Sequence, residues 1–173
     1  MYQTMSLESG PLRIRKEEMT KLMKASILAV SLLKEVEGWS SVAYHDGAGK
    51  MTIGWGHMIR EDEEWLKHTT ISKDVGEALL VIDVGRVNYT IDETVKVNLT
   101  ENQRAALVSL IYNIGDSAWR ESTTLKILNN KEYDKMPNRF HMWNKITDPV
   151  TKEKVISNGL LNRRAKEVVV WGG

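Results

Sequence analysis

Apolar residues recur at helical spacing along most of the chain. The first such stretch predicts a helix over about 19–36 that ends at Gly38, with Glu37 in its last turn. The clearest stretch is "LTENQRAALVSLIYNIG" over 99–115, in which Thr100 and Gln103 match a capping box. Further helices are predicted over 71–91 with Ser72 as N-cap, as two pieces around a break at Pro137, and over 160–171.

A different pattern follows the first helix. The run "SSVAYHDGAGKMTIGWGHMI" over 40–59 predicts a strand, a turn and a second strand, with the Asp-Gly pair at 46–47 and Gly49 in the turn. The acidic run over 61–64 is expected to start a solvated helix, and 147–159 is expected to form a loop. One short β segment among many helices predicts an α+β fold that is predominantly α.

The length of 173 residues suits one domain with a substantial core, built in two lobes at most. We expect residues 19–173 to form this domain, with its β lobe at about 39–60. Residues 1–18 contain Gly and Pro and show no clear period, so they are expected to be an N-terminal extension. The basic run "RIRK" at 13–16 either binds an anionic envelope surface or belongs to a disordered tail.

Charge is distributed unevenly, although the net charge is only +1. Residues 61–125 carry 6 Lys/Arg against 12 Asp/Glu, whereas residues 126–173 carry 10 against 5. The basic end indicates an anionic partner such as a cell wall or membrane surface, or else a solvated basic helix face. No nucleic-acid partner is expected, because the middle of the chain is acidic and no nucleic-acid-binding motif is present.

Several classes of site are excluded by motifs that the sequence lacks. It has no cysteine, no HExxH and no GxSxG motif, and its glycines do not match a dinucleotide fingerprint, so no metal and no cofactor are expected. The most apolar run, "ASILAVSLL" over 25–33, is too short to cross a bilayer and lies too far along the chain to be a signal segment. We therefore expect no integral membrane segment and a cytoplasmic location.

Candidate chemistry lies in "EGWSSVAYHDGAGKMTIGWGH" over 37–57. A helix end followed at once by a hairpin can place Glu37 and Asp46 on opposite walls of a cleft. Cleavage of a glycosidic bond needs such a pair, one acid protonated to assist the leaving oxygen and one ionised. Thr52 can hold a water through its hydroxyl. The alternative is that Glu37 forms a salt bridge and Asp46 only shapes a turn.

Aromatic residues surround these acids. Trp39, Tyr44 and Trp55 offer flat faces on which sugars stack, or else they belong to the core. His57 is a further candidate for substrate contact, although an ion pair or hydrogen bond with a structural role is the expectation for it.

The same stretch resembles the signature of the phage-type lysozymes, the endolysins that cleave bacterial peptidoglycan. In that family a Glu is followed by an Asp after eight residues and by a Thr after five more, as in Glu37, Asp46 and Thr52. Tyr44 and the "TIGWGH" run also match, and "NGLLNRRAKEVVVW" over 158–171 resembles the family's C-terminal "GLxxRRxxE" helix. The resemblance extends over about residues 22–172.

This resemblance implies a small β-containing lobe and a larger helical lobe with the sugar chain bound between them. It implies hydrolysis of the β-1,4 bond from N-acetylmuramic acid to N-acetylglucosamine, with Glu37 as general acid, Asp46 as stabiliser or water-orienting base, and Thr52 positioning water. Asn113 is expected near the cleft as a substrate contact. Inversion is favoured, and a carboxyl separation of about 6.5–9.5 Å rather than about 5–5.5 Å would indicate it.

Two other functions stay open at this point. A lytic transglycosylase would need one catalytic acid and would give 1,6-anhydro products, whereas a non-catalytic wall-binding module would use the basic end and the aromatics. For an endolysin, the expected partner is bacterial peptidoglycan. The expected state is a monomer in the host cytoplasm, released with the help of a holin. Arg139, Arg163 and Arg164 either touch the substrate or brace helices, and bracing is the expectation.

Overall fold

The computed structural model describes residues 16–47 and 49–173. Helices predominate there and the strands are short, which confirms an α+β fold that is predominantly α. Two 3-10 helices cover Glu61–His68 and Tyr133–Lys135. The α-helices are α1 (Lys16–Val36), α2 (Lys73–Thr94), α3 (Glu101–Ile114), α4 (Asp116–Glu121), α5 (Thr123–Asn129), α6 (Met136–His141) and α7 (Asn158–Gly172), and the strands are β1 (Ser40–His45), β2 (Met51–Gly54), β3 (His57–Met58), β4 (Lys145–Thr147) and β5 (Lys154–Ile156).

Helix α3 is the centre of the larger, helical lobe. All seven residues from 105 to 111 are buried, and α3 packs against α1, α2 and α7. Its start is the predicted capping box: the Gln103 backbone N–H donates to Thr100 Oγ1 (3.1 Å), and the Thr100 backbone N–H donates to Gln103 Oε1 (3.0 Å). The helix that was clearest in the apolar pattern is thus also the most buried, because its partners cover it on every side.

The small lobe is an antiparallel sheet in the order β1-β2-β3. Its turn lies where the Asp-Gly signal predicts it, with the Lys50 backbone N–H donating to Asp46 Oδ1 (2.8 Å). The third strand was not predicted, since two residues are too few to show an alternating pattern. A separate small core holds this lobe together, and it consists of Ile53, Ile59, Leu66 and Ile71.

Helix α1 delivers Glu37 to the junction between the lobes. It ends at Val36, and the Glu37 backbone N–H still donates to the Leu33 carbonyl (2.8 Å), so Glu37 directly follows the last helical turn, close to the predicted position. At its other end, α1 includes residues 16–18, which were assigned to the extension. Residues 1–15, and with them the predictions for Arg13 and Arg15, lie outside the described residues.

Two predictions in the last third of the chain are wrong. Pro137 does not break a helix but stands in the first turn of α6, where its missing N–H costs nothing. The predicted loop over 147–159 instead contains β5, which pairs with β4 in an antiparallel hairpin. Its turn is shaped by Asp148, whose Oδ1 accepts the backbone N–H groups of Val150 and Thr151 (2.8 Å each).

Candidate active site

The Glu37 carboxylate is held from the side of the helical lobe by Arg163 of α7. Arg163 Nη1 donates to Glu37 Oε1, and the two residues are 126 positions apart in the chain. The Glu37 side chain is 21% exposed, whereas Arg163 is 6% exposed. One carboxylate oxygen is therefore fixed by a buried guanidinium, while the group as a whole remains accessible.

Arg163 is itself fixed by α3 and by its own helix. Its Nη2 donates to the Ser109 carbonyl (2.9 Å), and its Nε donates to Glu167 Oε1 (3.2 Å). Glu167 is fully buried and also accepts from Ser109 Oγ (2.6 Å). Burial raises the pKa of Glu167, while the adjacent arginines and the Ser109 hydroxyl oppose that rise. Arg163 therefore ties α7 to α3, which is the predicted bracing of helices, and it also holds Glu37.

The opposite wall of the site is the β1–β2 hairpin. Tyr44 pairs directly with Thr52 across the two strands, and Asp46 stands two residues further along at the turn. The pKa of the Tyr44 hydroxyl is raised by burial and by the negative charges of Glu37 and Asp46. Tyr44 thus lies within electrostatic reach of both acids, so the hairpin and the end of α1 share one polar neighbourhood.

Thr52 lies in this wall but is almost fully buried. It is 3% exposed, and its Oγ1 donates to the Lys50 carbonyl (3.1 Å). In this arrangement Thr52 supports the strand that carries the turn with Asp46. A role in holding water stays a prediction.

Gly56 brings the backbone of the small lobe against Glu37. It has a φ of +84°, which L side chains rarely adopt, and a Cβ built there would lie 3.3 Å from Glu37 Oε2 and 3.4 Å from Tyr112 Cε1. Tyr112 donates its hydroxyl to the Trp55 carbonyl (2.9 Å), which ties α3 to the same turn. Burial is the largest cause of the raised pKa of Tyr112, followed by the charges of Asp83 and Glu37.

The structure places the two tryptophans mainly in the packing between the lobes. Trp55 is 7% exposed, and its ring centroid lies 4.4 Å from that of the half-buried Trp39, with the planes tilted by 52°. Lys34 Nζ lies over the Trp55 ring, 4.8 Å from its centroid. Of the two interpretations offered by the sequence, this geometry favours core packing. Sugar stacking on Trp39 stays a prediction.

The His57 side chain lies in a buried charge cluster. Its Nδ1 lies 2.6 Å from Asp83 Oδ2 on α2, and its Nε2 lies 2.8 Å from Glu63 Oε2. Burial lowers the pKa of His57, but hydrogen bonds and charge from Asp83 and Glu63 outweigh it, so the pKa is raised overall. The expected structural ion pair is present, and substrate contact by His57 stays a prediction.

Asn113 lies on the exposed side of α3, near its C-terminal end. Its Oδ1 accepts a hydrogen bond from Arg164 Nη2 (2.7 Å). Arg164 is fully buried, and burial lowers its pKa to about 10. Because the amide oxygen is engaged, the amide N–H₂ is the group that Asn113 presents to a ligand.

Two cavities in the described part of the chain lie near these residues, and the lining of neither includes a candidate site residue. An apolar groove of about 760 Å³ between α1 and α2 contains none of the candidate site residues. The lining of a smaller cavity of about 240 Å³ includes Gly56, whose backbone lies against the Glu37 carboxylate, although Glu37 itself does not line it. The chemistry therefore assigns the candidate site to the junction of the lobes and not to the larger groove. Among the described residues, no group of three or more His, Cys, Asp or Glu side chains could hold a metal ion.

Comparison with known proteins decides the family. The model of the family described as "Phage lysozyme" matches residues 34–167. This chain belongs to the phage lysozyme family. The match contains the "EGWSSVAYHDGAGKMTIGWGH" stretch and Arg163, so it includes both walls of the candidate site.

Individual relatives of this phage lysozyme agree. An endolysin of Acyrthosiphon pisum secondary endosymbiont phage 1 is 34% identical over 149 residues, covering 86% of this chain and 98% of the relative. An endolysin of Salmonella phage P22 is 38% identical over 125 residues, or 72% of this chain and 86% of the relative. The solved endolysin of Escherichia coli O157:H7 phage FAHEc1 is similar with a TM-score of 0.73, 33% identity and 94% coverage of each chain.

The part of this phage lysozyme that sequence reasoning did not find is the support behind Glu37. Ser109 carries no motif of its own. Arg163 and Glu167 lie in the stretch that resembles the family's "GLxxRRxxE" helix, but helix bracing was the expectation for Arg163 and no role was predicted for Glu167. One local signal was available: Arg163 and Glu167 are four residues apart on a helix, which puts them on one face. No local signal indicates that Glu37, which lies 126 positions before Arg163, joins this pair.

Proposed function

We propose that this phage lysozyme hydrolyses the β-1,4 bond between N-acetylmuramic acid and N-acetylglucosamine in bacterial peptidoglycan. Membership in the family carries the coarser part of this statement, a peptidoglycan-degrading enzyme. The bond is the one that the family resemblance implies. The residue roles are supported by one observation: the Glu37 carboxylate is held by Arg163 of the helical lobe and lies against Gly56 of the small lobe, whose hairpin carries Asp46.

In the proposed reaction, Glu37 donates its proton to the glycosidic oxygen, which leaves as the 4-hydroxyl of N-acetylglucosamine. Positive charge develops at C1 of the muramic acid ring, and the Asp46 carboxylate stabilises it or directs the attacking water. The water adds its oxygen to C1 and gives its proton to the Asp46 carboxylate, so that the product ends in a reducing muramic acid. Exchange with solvent then returns a proton to Glu37 and removes the one on Asp46. Thr52 supports Asp46 or positions that water, and Tyr44, Trp39 and Asn113 contact the sugar chain.

The release and assembly of the enzyme are part of the proposal. The relatives are named endolysins, and some are named SAR-endolysins. No helix among residues 16–47 and 49–173 is long and apolar enough to span a membrane. We infer that this chain acts as a monomer, accumulates in the host cytoplasm and reaches the wall after a holin has opened the membrane.

Digestion of purified peptidoglycan by wild type and Glu37→Gln, with mass spectrometry of the soluble fragments, tests the reaction. Glu37→Gln is expected to lower the rate by on the order of 100-fold or more, since proton donation to the leaving group is lost. Glu35→Gln is a matched control, because Glu35 lies two residues away on α1 and is exposed. It should retain the wild-type rate.

The products separate the alternatives. Reducing-end muramic acid is expected from wild type. Fragments lighter by one water, with 1,6-anhydro ends, would assign the chain to the lytic transglycosylases. Binding of peptidoglycan without any release of fragments would leave a wall-binding module, and a Glu37→Gln variant as active as wild type would contradict the role of Glu37.

A further inference from the structure

One fully buried carboxylate, that of Glu167, lies behind two candidate site residues at once. Through its Oε1 it accepts from Arg163, which holds Glu37. Its Oε2 lies 3.3 Å from Arg164 Nη1, and Arg164 in turn holds Asn113. Water does not reach the Glu167 carboxylate, because the side chains of Glu167 and Arg164 are both 0% exposed.

We call the two links the Arg163 arm (Glu167, Arg163, Glu37) and the Arg164 arm (Glu167, Arg164, Asn113). The contacts of the Arg163 arm leave its guanidinium little freedom. Its Nε is bonded to Glu167, its Nη2 to the carbonyl and hydroxyl of Ser109 (2.9 and 3.3 Å), and its Nη1 to Glu37. Since a guanidinium is planar and its donors have fixed directions, two anchored nitrogens determine where the third points. The position of the Glu37 oxygen is therefore set by contacts that lie behind Arg163.

The second link runs through Arg164. Its Nη2 donates to Asn113 Oδ1, which leaves the amide N–H₂ of the exposed Asn113 as the group available to a ligand. Without a carboxylate between them, Arg163 and Arg164 would be two adjacent buried cations in α7. Glu167 thus places one negative charge between the two guanidinium groups: its Oε1 accepts from Arg163 Nε, and its Oε2 is ion-paired with Arg164 Nη1 without a hydrogen bond.

We propose that Glu167 is a positioning residue for the hydrolysis, aligning Glu37 through Arg163 and the Asn113 amide through Arg164. The inference rests on the proposed function, since it assigns consequences to the positions of Glu37 and Asn113. The polar groups that face Glu167 in this network are Arg163 and Arg164 on its own helix and Ser109 on α3, and Glu37 follows behind Arg163.

Steady-state kinetics of Glu167→Gln, Glu167→Asp and Ser109→Ala on soluble peptidoglycan fragments test this role. Ser109→Ala removes the hydroxyl contacts with Arg163 and with Glu167 Oε1 but keeps the Ser109 carbonyl and the Glu167 charge. We expect kcat to fall about tenfold with KM unchanged, since small misplacements of a catalytic group are costly. In Glu167→Gln both arms loosen, so kcat should fall by on the order of 100-fold and KM should rise. Glu167→Asp keeps the charge and should lie between wild type and Glu167→Gln.

A matched control separates positioning from loss of stability. Ser122→Ala makes the same chemical change at a buried serine that caps α5, outside this network. It should lower thermal stability while kcat and KM of the folded enzyme stay at wild-type values. If Glu167→Gln does not fold, Ser109→Ala compared with Ser122→Ala decides the question.

Further readouts separate this inference from the proposed function. In the Glu37→Gln background, Ser109→Ala should lower the residual rate no further, because the aligned group is already absent. Wild-type kinetics in both Ser109→Ala and folded Glu167→Gln would overturn the positioning role while leaving Glu37 as the acid. Full activity of Glu37→Gln would instead overturn the proposed function itself.

Discussion

At the scale of single residues, His57 shows how the environment changes the meaning of a motif residue. Its ring is 2% exposed and lies between carboxylates from the small lobe and from α2. Only the protonated ring can donate to both Glu63 and Asp83, because neutral imidazole has a single N–H. Asp83 is further paired with Arg86 of its own helix (2.8 Å) and with Arg60 (3.5 Å). The pairs that His57 and Arg60 form with Asp83 join the small lobe to α2 through charge.

The stability of the protein should therefore depend on the charge of His57. Its pKa is raised above 6.5, so its contribution is complete below that value and is lost as pH rises through the folded-state pKa. The pKa of Glu63 is lowered below 4.5, so its contribution is present above that value and is lost as pH falls through the folded-state pKa. Both contributions are present between pH 4.5 and 6.5.

We expect His57→Gln to lower the free energy of unfolding by about 3 kcal/mol near pH 5.5, because it breaks a buried charge pair. The difference from wild type should shrink towards alkaline pH, where the wild-type ring is neutral as well. Urea denaturation of both proteins across this range measures it. A difference that is constant from acidic to alkaline pH would contradict the charged bridge.

At the scale of elements, α2 contains two glycines, Gly76 and Gly85, that cannot be told apart from the sequence alone. Gly76 lies where α2 meets the small lobe, and a methyl group there would lie 2.7 Å from Trp39 Cη2 and closer still to Cζ3. Gly85 is exposed and has nothing within 4 Å of an added Cβ. Both lower the helix propensity of α2, but only Gly76 makes room for a packed ring.

Opposite effects are expected when each glycine is replaced by alanine. Gly85→Ala should stabilise the protein by about 0.5–1 kcal/mol through helix propensity alone. Gly76→Ala should destabilise it by about 1–3 kcal/mol, because Trp39 is held against Trp55 and must shift. Thermal and urea denaturation measure both. Stabilisation by Gly76→Ala would show that Trp39 moves freely.

At the scale of the whole molecule, two hydrophobic cores of unequal size meet at Trp39, which packs against both. The helical core is built on α3, and the small one on Ile53 and its neighbours. The candidate site lies where these cores meet: α1 and α7 supply Glu37 and Arg163, and the hairpin supplies Asp46.

The proposed dependence on a holin is tested with the whole chain in cells. Expression of this chain alone should leave a culture intact, and lysis should follow when the inner membrane is permeabilised. Glu37→Gln, expressed to the same level, should not lyse permeabilised cells. Lysis by the chain alone, with an intact inner membrane, would contradict the holin proposal, and light scattering of the purified chain tests the monomer.

Local patterns in the sequence determined the main helices, the first hairpin and the family. The capping box of α3, the Asp-Gly turn and the spacing of Glu37, Asp46 and Thr52 each involve residues close in the chain, so a linear pattern can carry them. The hairpin of β4 and β5 was missed for the converse reason. Its strands have three residues each, and their pairing is not visible in periodicity.

Only the tertiary structure decided what surrounds the acids and which candidates face the site. Glu37 meets Arg163 across 126 residues, and Arg163 meets Ser109 across 54, distances at which spacing in sequence says nothing about contact. His57 and Trp55 belong to the motif, yet strand direction and packing turn them into the interior. The sequence determines which groups are available, whereas folding determines which of them are buried, charged and aligned, because those properties come from partners far along the chain.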